Sequence, residues 1–149
     1  MRRSKSLLMG FFLPALVAVW GFSAEPTEAV VQGHVYCVGE DLQETQCTDD
    51  SRHFAFRSDD GRRFVLSPDD EMTGMFRDPR VRSQRLRLRL WISESGRVDV
   101  VKVHSVRDGE IWDIYYFCSI CNIRSHSGGP CWCCQQEFEL VERPASEGQ

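Results

Sequence analysis

Five of the seven cysteines in this chain lie between residues 118 and 134. Four of them form two C-x-x-C pairs, Cys118 with Cys121 and Cys131 with Cys134, joined by nine residues that include a Gly-Gly-Pro turn. A C-x-x-C turn presents two sulfur atoms from one tight loop, and structural zinc is held by four thiolates at tetrahedral corners. Two such pairs at this separation predict a zinc-ribbon-like hairpin over residues 117–142, with zinc as a structural cofactor.

Iron and disulfides are the alternatives for these four cysteines. Four thiolates also hold iron or an iron–sulfur cluster, and disulfides are common in exported chains. Covalent haem attachment is excluded because no histidine follows Cys121, and no βαβ pattern supports a thioredoxin-like redox pair. The spacing favours zinc, and disulfides remain the main alternative.

Three cysteines are surplus to a four-ligand site. Cys133 lies inside the second pair, where it is either a bystander thiol or a redox thiol that exchanges with its neighbour Cys134. Cys37 and Cys47 flank a polar segment, and they form either a disulfide across it or two separate buried thiols.

An alternating pattern over residues 83–93 predicts a half-buried strand with leucines on one face and a basic opposite face. The residues on this opposite face are Arg85, Arg87, Arg89 and Trp91. OB-type barrels bind oligonucleotides or oligosaccharides on such a face, where arginines and aromatic rings hold phosphate or stack on rings. The alternative is a solvated face neutralised by the facing acids Asp99 and Glu94, and the acidic charge of the chain favours it.

Residues 1–24 have the composition of an export signal, with a basic start, an apolar run and a short polar end. We predict a signal peptide, or an N-terminal anchor if it is not cleaved, and an extracytoplasmic location in the periplasm, envelope or medium. The remaining chain has 15 basic and 22 acidic residues, a net charge of −7. This charge argues against nucleic acid as a partner. Because the chain is predicted to be exported, we expect an envelope protein or polymer as partner. Membrane contact is expected only through the uncleaved segment.

The rest of the chain is predicted to be mainly β. A strand, a hairpin, a short helix, a second hairpin and a further strand follow in order, which is typical of a small OB-like β-barrel over residues 28–116. The helix is predicted to have Ser67 as N-cap and Pro68 at its first position, and to end at Pro79. Residues 143–149 are predicted to be a loose tail.

The C-terminal segment DGEIWDIYYFCSICNIRSHSGGPCWCC contains the motif D-G-x-x-x-D-x-Y-Y-F-C-x-x-C-x-I-R, followed by G-P-C-x-C-C. With these motifs the chain resembles a group of small exported proteins typical of Planctomycetes, and the likeness extends over most of the chain after residue 24. The resemblance implies an exported, β-rich protein whose signature includes Cys133, and it implies no established activity. The glycine that commonly follows the last cysteine in that group is Gln135 here.

No catalytic motif accompanies these features: the sequence has no Gly-x-Ser-x-Gly elbow, His-Glu-x-x-His helix, P-loop or dinucleotide-binding glycine pattern. We therefore expect a non-enzymatic, exported binding or scaffolding module with a structural zinc site. The alternatives are a thiol redox or metal-handling protein that uses Cys133 and Cys134, and an OB-type binder of an anionic polymer through Arg85, Arg87 and Arg89.

Overall fold

The computed structural model describes residues 25–146, which fold into one nine-stranded antiparallel sheet with two short helices. The strands are β1 (Thr27–Val38), β2 (Glu44–Thr45), β3 (Phe54–Ser58), β4 (Arg63–Val65), β5 (Leu86–Ile92), β6 (Val98–Arg107), β7 (Glu110–Cys118), β8 (Ile123–Ser125) and β9 (Glu139–Pro144). The helices are a 3₁₀ helix (Glu71–Arg77) and α1 (Pro79–Arg82). The predicted mainly β class is confirmed. Within residues 25–146, no helix is long and apolar enough to cross a membrane.

The strands lie in the order β4-β3-β1-β5-β6-β7-β8, with β2 added to β1 and β9 added to β7. β3 lies along one edge of β1, and β5 and β2 follow each other along the opposite edge. Gly33 lies where both neighbours meet β1, because it faces Ser58 on β3 and Leu86 on β5. A Cβ atom at this position would lie 2.0 Å from the carbonyl oxygen of Arg57, so this position between β3 and β5 requires glycine.

The core lies on the face of the sheet that the helices cover. Leu86, Leu88 and Leu90 of β5 are fully buried there, as their alternation with arginines predicts. Phe76 of the 3₁₀ helix and Val81 of α1 belong to the same cluster of buried side chains. The opposite face of β5 is left to the arginines and to solvent.

The sheet is open, so the predicted OB-like barrel is not confirmed. In the part of the sheet that corresponds to the predicted barrel, the order is β4-β3-β1-β5-β6, so its end strands are β4 and β6. Closure would require these two strands to pair over several residues. Between these two segments the described chain has one backbone hydrogen bond, from the N–H of Ser67 to the carbonyl of Val98 at 2.9 Å. Pro68 follows, and the chain then turns into the 3₁₀ helix. The pairing therefore stops after one bond.

The helical segment differs from the predicted helix at both ends. Asp70 rather than Ser67 is the N-cap, and its carboxylate accepts a hydrogen bond from the N–H of Met72 at 3.0 Å. Pro79 does not end the helical segment but begins α1, for which Asp78 is the N-cap.

The C-terminal hairpin is continuous with the sheet. β7 pairs with β6 and then with β8 along one edge, while β9 covers its other edge. A boundary between a barrel and a separate hairpin would therefore cut through β7. The cysteine-rich segment and the rest of the chain share one strand.

The ends of the chain are described in part. The predicted tail over 143–149 starts as strand, because β9 extends to Pro144 and the N–H of Ala145 donates to the carbonyl of Ile111 at 2.9 Å. The final three residues, and the predicted export signal over residues 1–24, lie outside the described part of the chain.

Candidate metal centre

The two C-x-x-C pairs meet at the end of β7. Cys118 is the last residue of this strand and Cys121 lies in the turn to β8, whereas Cys131 and Cys134 lie between β8 and β9. Their four sulfur atoms all lie within 4.8 Å of one another. Cys118 and Cys131 are buried, while Cys121 and Cys134 are partly exposed. The cluster therefore lies at the margin of the core, with one face toward solvent.

The sulfur separations fit four ligands around one metal ion. With metal–sulfur bonds of about 2.3 Å, a tetrahedral site places its sulfur atoms about 3.8 Å apart. The Sγ atoms of Cys118 and Cys134 are 3.5 Å apart, and no pair of the four exceeds 4.8 Å. A disulfide needs its sulfur atoms about 2.0 Å apart, and none of these four cysteines is in one. The arrangement can hold a metal ion.

A residue with left-handed backbone follows each C-x-x-C pair. Asn122 (φ 55°) follows Cys121, and Gln135 (φ 63°) follows Cys134. The N–H of Gln135 donates to the carbonyl of Cys131 at 2.9 Å and closes the second turn. The two halves of the site thus use the same left-handed position to turn the chain away from the sulfur atoms.

The backbone favours a thiolate at one position of the cluster in particular. Hydrogen bonds from the N–H groups of Cys134 and Cys133 outweigh burial and lower the pKa of Cys131 to about 7. At Cys118 the N–H of Cys121 also favours the thiolate, but burial and the neighbouring thiols outweigh it and raise the pKa. Hydrogen bonds with the thiols of Cys133 and Cys134 raise the pKa of Cys121. A metal ion that binds here must displace the protons of Cys118 and Cys121, the two thiols whose pKa is raised.

Cys133 is not one of the four clustered cysteines. Its side chain is exposed, and its thiol is one of the neighbours that raise the pKa of the Cys121 thiol. The adjacent Trp132 is also exposed, and its ring packs on Phe138 with the centroids 5.3 Å apart. Cys133 is therefore an accessible thiol in contact with a cluster residue.

The hairpin is anchored to the rest of the fold through Tyr116. This buried tyrosine donates a hydrogen bond from its hydroxyl to the Asp78 carboxylate at 2.9 Å, so it ties β7 to the N-cap of α1. A Cβ atom on Gly128 would lie 3.0 Å from the ring, so the Gly-Gly turn packs closely on it. Burial and then the bond to Asp78 raise the pKa of Tyr116. The sequence analysis missed this link, although Asp-Pro is a helix-start signal that could have drawn attention to Asp78.

Cys37 and Cys47 are joined by a disulfide, with their Cα atoms 5.3 Å apart. The bond connects β1 to the loop that follows β2. The two alternatives left open for these residues in the sequence are thereby reduced to one in the structure.

The residues predicted on the outward face of β5 have different neighbours. Arg85 turns to an ion pair with Asp59. Arg89 lies 2.8 Å from Glu28, and Asp99 pairs instead with Arg97. Two of the three arginines are thus neutralised, but by other acids than those expected. Arg87 and the exposed Trp91 remain on the outward side of β5, whose burial pattern alternates as predicted.

The fold and the cluster together define a class: an open antiparallel sheet protein with a four-cysteine centre that can bind a metal on its C-terminal hairpin. Searches against protein-family models, curated proteins and solved structures found no match.

Proposed function

We propose that this chain is an exported, non-enzymatic β-sheet module whose C-terminal hairpin is held by one structural zinc ion. The ligands are Cys118, Cys121, Cys131 and Cys134. The observation that carries the proposal is the convergence of these four sulfur atoms within 4.8 Å, two from each turn. Four thiolates in a closed set leave no coordination position for substrate, which is the character of a structural rather than a catalytic zinc site.

A staple is needed because the hairpin has little regular structure of its own. β8 has three residues, and beyond it one isolated bridge, Pro130 with Glu137, precedes β9. A few backbone bonds do not hold such a segment in one conformation, and small hairpins commonly obtain the missing stability from a metal. Zinc suits this task because it accepts four thiolates and has no redox chemistry.

The proposal of export has separate support. The Cys37–Cys47 disulfide is typical of an oxidising compartment, and residues 1–24 have the composition of an export signal. The resemblance to the exported Planctomycetes proteins points the same way. In the envelope, the module would bind or position another protein or a polymer.

Two adjacent cysteines provide the test of the zinc site. Cys134→Ser removes a proposed ligand, whereas Cys133→Ser removes its exposed neighbour and is the matched control. We expect one zinc per chain in the wild type and in the control after dialysis against a chelator, and a loss of zinc from Cys134→Ser, measured by elemental analysis. Equal zinc contents in the two variants would contradict the ligand set, and stoichiometric iron would reject zinc.

The thiol redox alternative rests on the contact between Cys133 and Cys121. It predicts that mild oxidation joins these two sulfur atoms and releases the metal, since a ligand thiolate is lost. The structural proposal predicts that alkylation of Cys133 leaves the metal in place. Peptide mapping and metal analysis on the same oxidised and alkylated samples separate the two functions.

A further inference from the structure

A row of charged side chains crosses the outward face of the sheet. Arg87 on β5 faces His104 on β6, which faces Asp113 on β7, which in turn faces Arg143 on β9. Residues directly opposite each other in an antiparallel pair project to the same side. The register therefore brings together basic residues that are up to 56 positions apart in sequence.

A second pair lies beside this row. Arg89 on β5 faces Lys102 on β6, so one cross-strand pair of β5 and β6 on this face joins two cations. Like charges directly opposite each other destabilise a sheet. This pair of like charges is present although the net charge of the chain after residue 24 is −7.

The acidic residues on this face neutralise only part of it. Glu28 pairs with Arg89 at 2.8 Å, and Asp113 lies 3.6 Å from the Lys102 ammonium and 3.3 Å from the His104 ring. Three further cations of the face form no ion pair within residues 25–146; they are Arg87, Arg124 and Arg143. We name Arg87, Arg89, Lys102, Arg124 and Arg143 the basic face.

Two shallow depressions meet at Lys102. The first has a volume of about 270 Å³ and is lined by Arg87, Arg89 and His104. The second has a volume of about 380 Å³, and its lining includes Arg124 and Arg143 together with Asp113 and the apolar Met72, Val103 and Ile114. From β5 across β6 and β7 to β9 the face spans about 14 Å, at roughly 4.8 Å per strand. Its shape suits an extended ligand rather than a single small ion.

We propose that the basic face binds an extended acidic polysaccharide, with carboxylate or sulfate groups held by its guanidinium and ammonium groups. Arginine holds such anions with paired N–H donors. Trp91 is 42% exposed two residues beyond Arg89, and its ring offers an apolar surface to a sugar.

Single-stranded nucleic acid fits this face less well. Binding of bases needs aromatic rings with open faces on which successive bases stack. The open ring of Trp91 gives one such position. Tyr115, which lines the second depression, gives no open second position, because the guanidinium groups of Arg124 and Arg143 lie 4.3 and 5.4 Å from its ring centre. The proposed site is separate from the cysteine cluster and does not depend on the identity of the metal.

The test uses the metal-loaded protein with the predicted signal removed, and three probes: heparin, polygalacturonate and single-stranded poly(dT). Neutral dextran is the uncharged control. At low salt, of about 20 mM, we expect binding of heparin or polygalacturonate that weakens steeply as salt is added. The variant Arg87→Gln/Lys102→Gln/Arg143→Gln should lose roughly tenfold to a hundredfold in affinity because three charged contacts are removed.

The matched control is Arg52→Gln/Arg62→Gln/Arg77→Gln, which changes the net charge equally at exposed arginines outside the basic face. It should retain nearly all binding. Equal losses in the two triple variants, absence of binding to both acidic polysaccharides, or tighter binding of poly(dT) would each overturn the proposal. Thermal unfolding and zinc content verify that both variants fold, and Lys102→Glu alone, between the two depressions, gives a second measurement if the triple variant does not.

Discussion

Each C-x-x-C pair of the cysteine cluster is followed by one non-glycine residue in the left-handed backbone conformation. Asn122 and Gln135 have positive φ angles, and asparagine tolerates this region better than glutamine does. In the group of proteins that this chain resembles, glycine commonly occupies the position of Gln135. The left-handed backbone explains why glycine would be suited there, since it lacks the Cβ atom that makes this conformation unfavourable.

The first prediction follows from this geometry. Gln135→Gly should stabilise the metal-loaded protein by about 0.5–1 kcal/mol, because relief of the left-handed strain exceeds the added chain entropy of glycine. Gln136→Gly is the matched control, since Gln136 is equally exposed and has no positive φ angle. It should be neutral or destabilising. Urea unfolding measures both, and a loss of stability in Gln135→Gly would contradict the assignment of strain.

The four clustered cysteines could be predicted from sequence because each pair is local. A C-x-x-C turn brings its own two sulfur atoms together, and one hairpin has only to bring two turns into contact. The basic face could not be predicted in the same way. Arg87 and Arg89 were visible in the alternating pattern of β5, but their opposition to His104 and Lys102 depends on the register with β6. That register shifts between Arg89 and Leu90, and no local pattern specifies it.

Among the elements, the C-terminal hairpin is tied to the helical segment by a hydrogen bond. Tyr116 on β7 bonds to the N-cap carboxylate of α1, so displacement of either element breaks the bond. The chain leaves the sheet after Ser67 and turns into the 3₁₀ helix, so the sheet stays open there. The sequence order of strands resembled a barrel, whereas closure depends on pairing between segments about thirty residues apart, where one hydrogen bond forms.

Loss of the tyrosine hydroxyl tests this connection. Tyr116→Phe should lower the free energy of unfolding by about 1–2 kcal/mol, because the Asp78 carboxylate loses a buried donor. Tyr115→Phe is the control, because its hydroxyl makes no hydrogen bond within residues 25–146 and it projects to the opposite face of the same strand. Chemical denaturation of both variants gives the comparison, and equal effects would show that the bond to Asp78 contributes nothing.

At the scale of the whole molecule, an acidic chain presents one basic side. His104 lies within that side and is buried, and its environment opposes protonation. Burial first, and then the positive charge of Lys102, lower its pKa below 6.5, while Asp113 acts in the opposite direction and Arg87 and Arg89 add to the lowering. The unfolded chain therefore binds a proton at this residue at a higher pH than the folded chain does.

The sign of the resulting pH dependence is definite. As pH falls below about 6.5, the unfolded state gains a proton first, so stability decreases until the folded pKa is reached. His104→Gln should give a shallower fall in the free energy of unfolding between roughly pH 7.5 and pH 5. Urea titrations of wild type and variant at several pH values measure the two slopes. Identical slopes would show that His104 titrates alike in both states.

The central claim is that the four cysteines bind a metal instead of pairing with one another. The most direct measurement is native mass spectrometry of the intact protein from its own compartment, combined with counting of thiols after acid denaturation without reductant. We expect one zinc per chain and five alkylatable thiols, with Cys37 and Cys47 remaining in their disulfide. A metal-free mass with a single alkylatable thiol would mean that the cluster is two disulfides, and it would contradict the account.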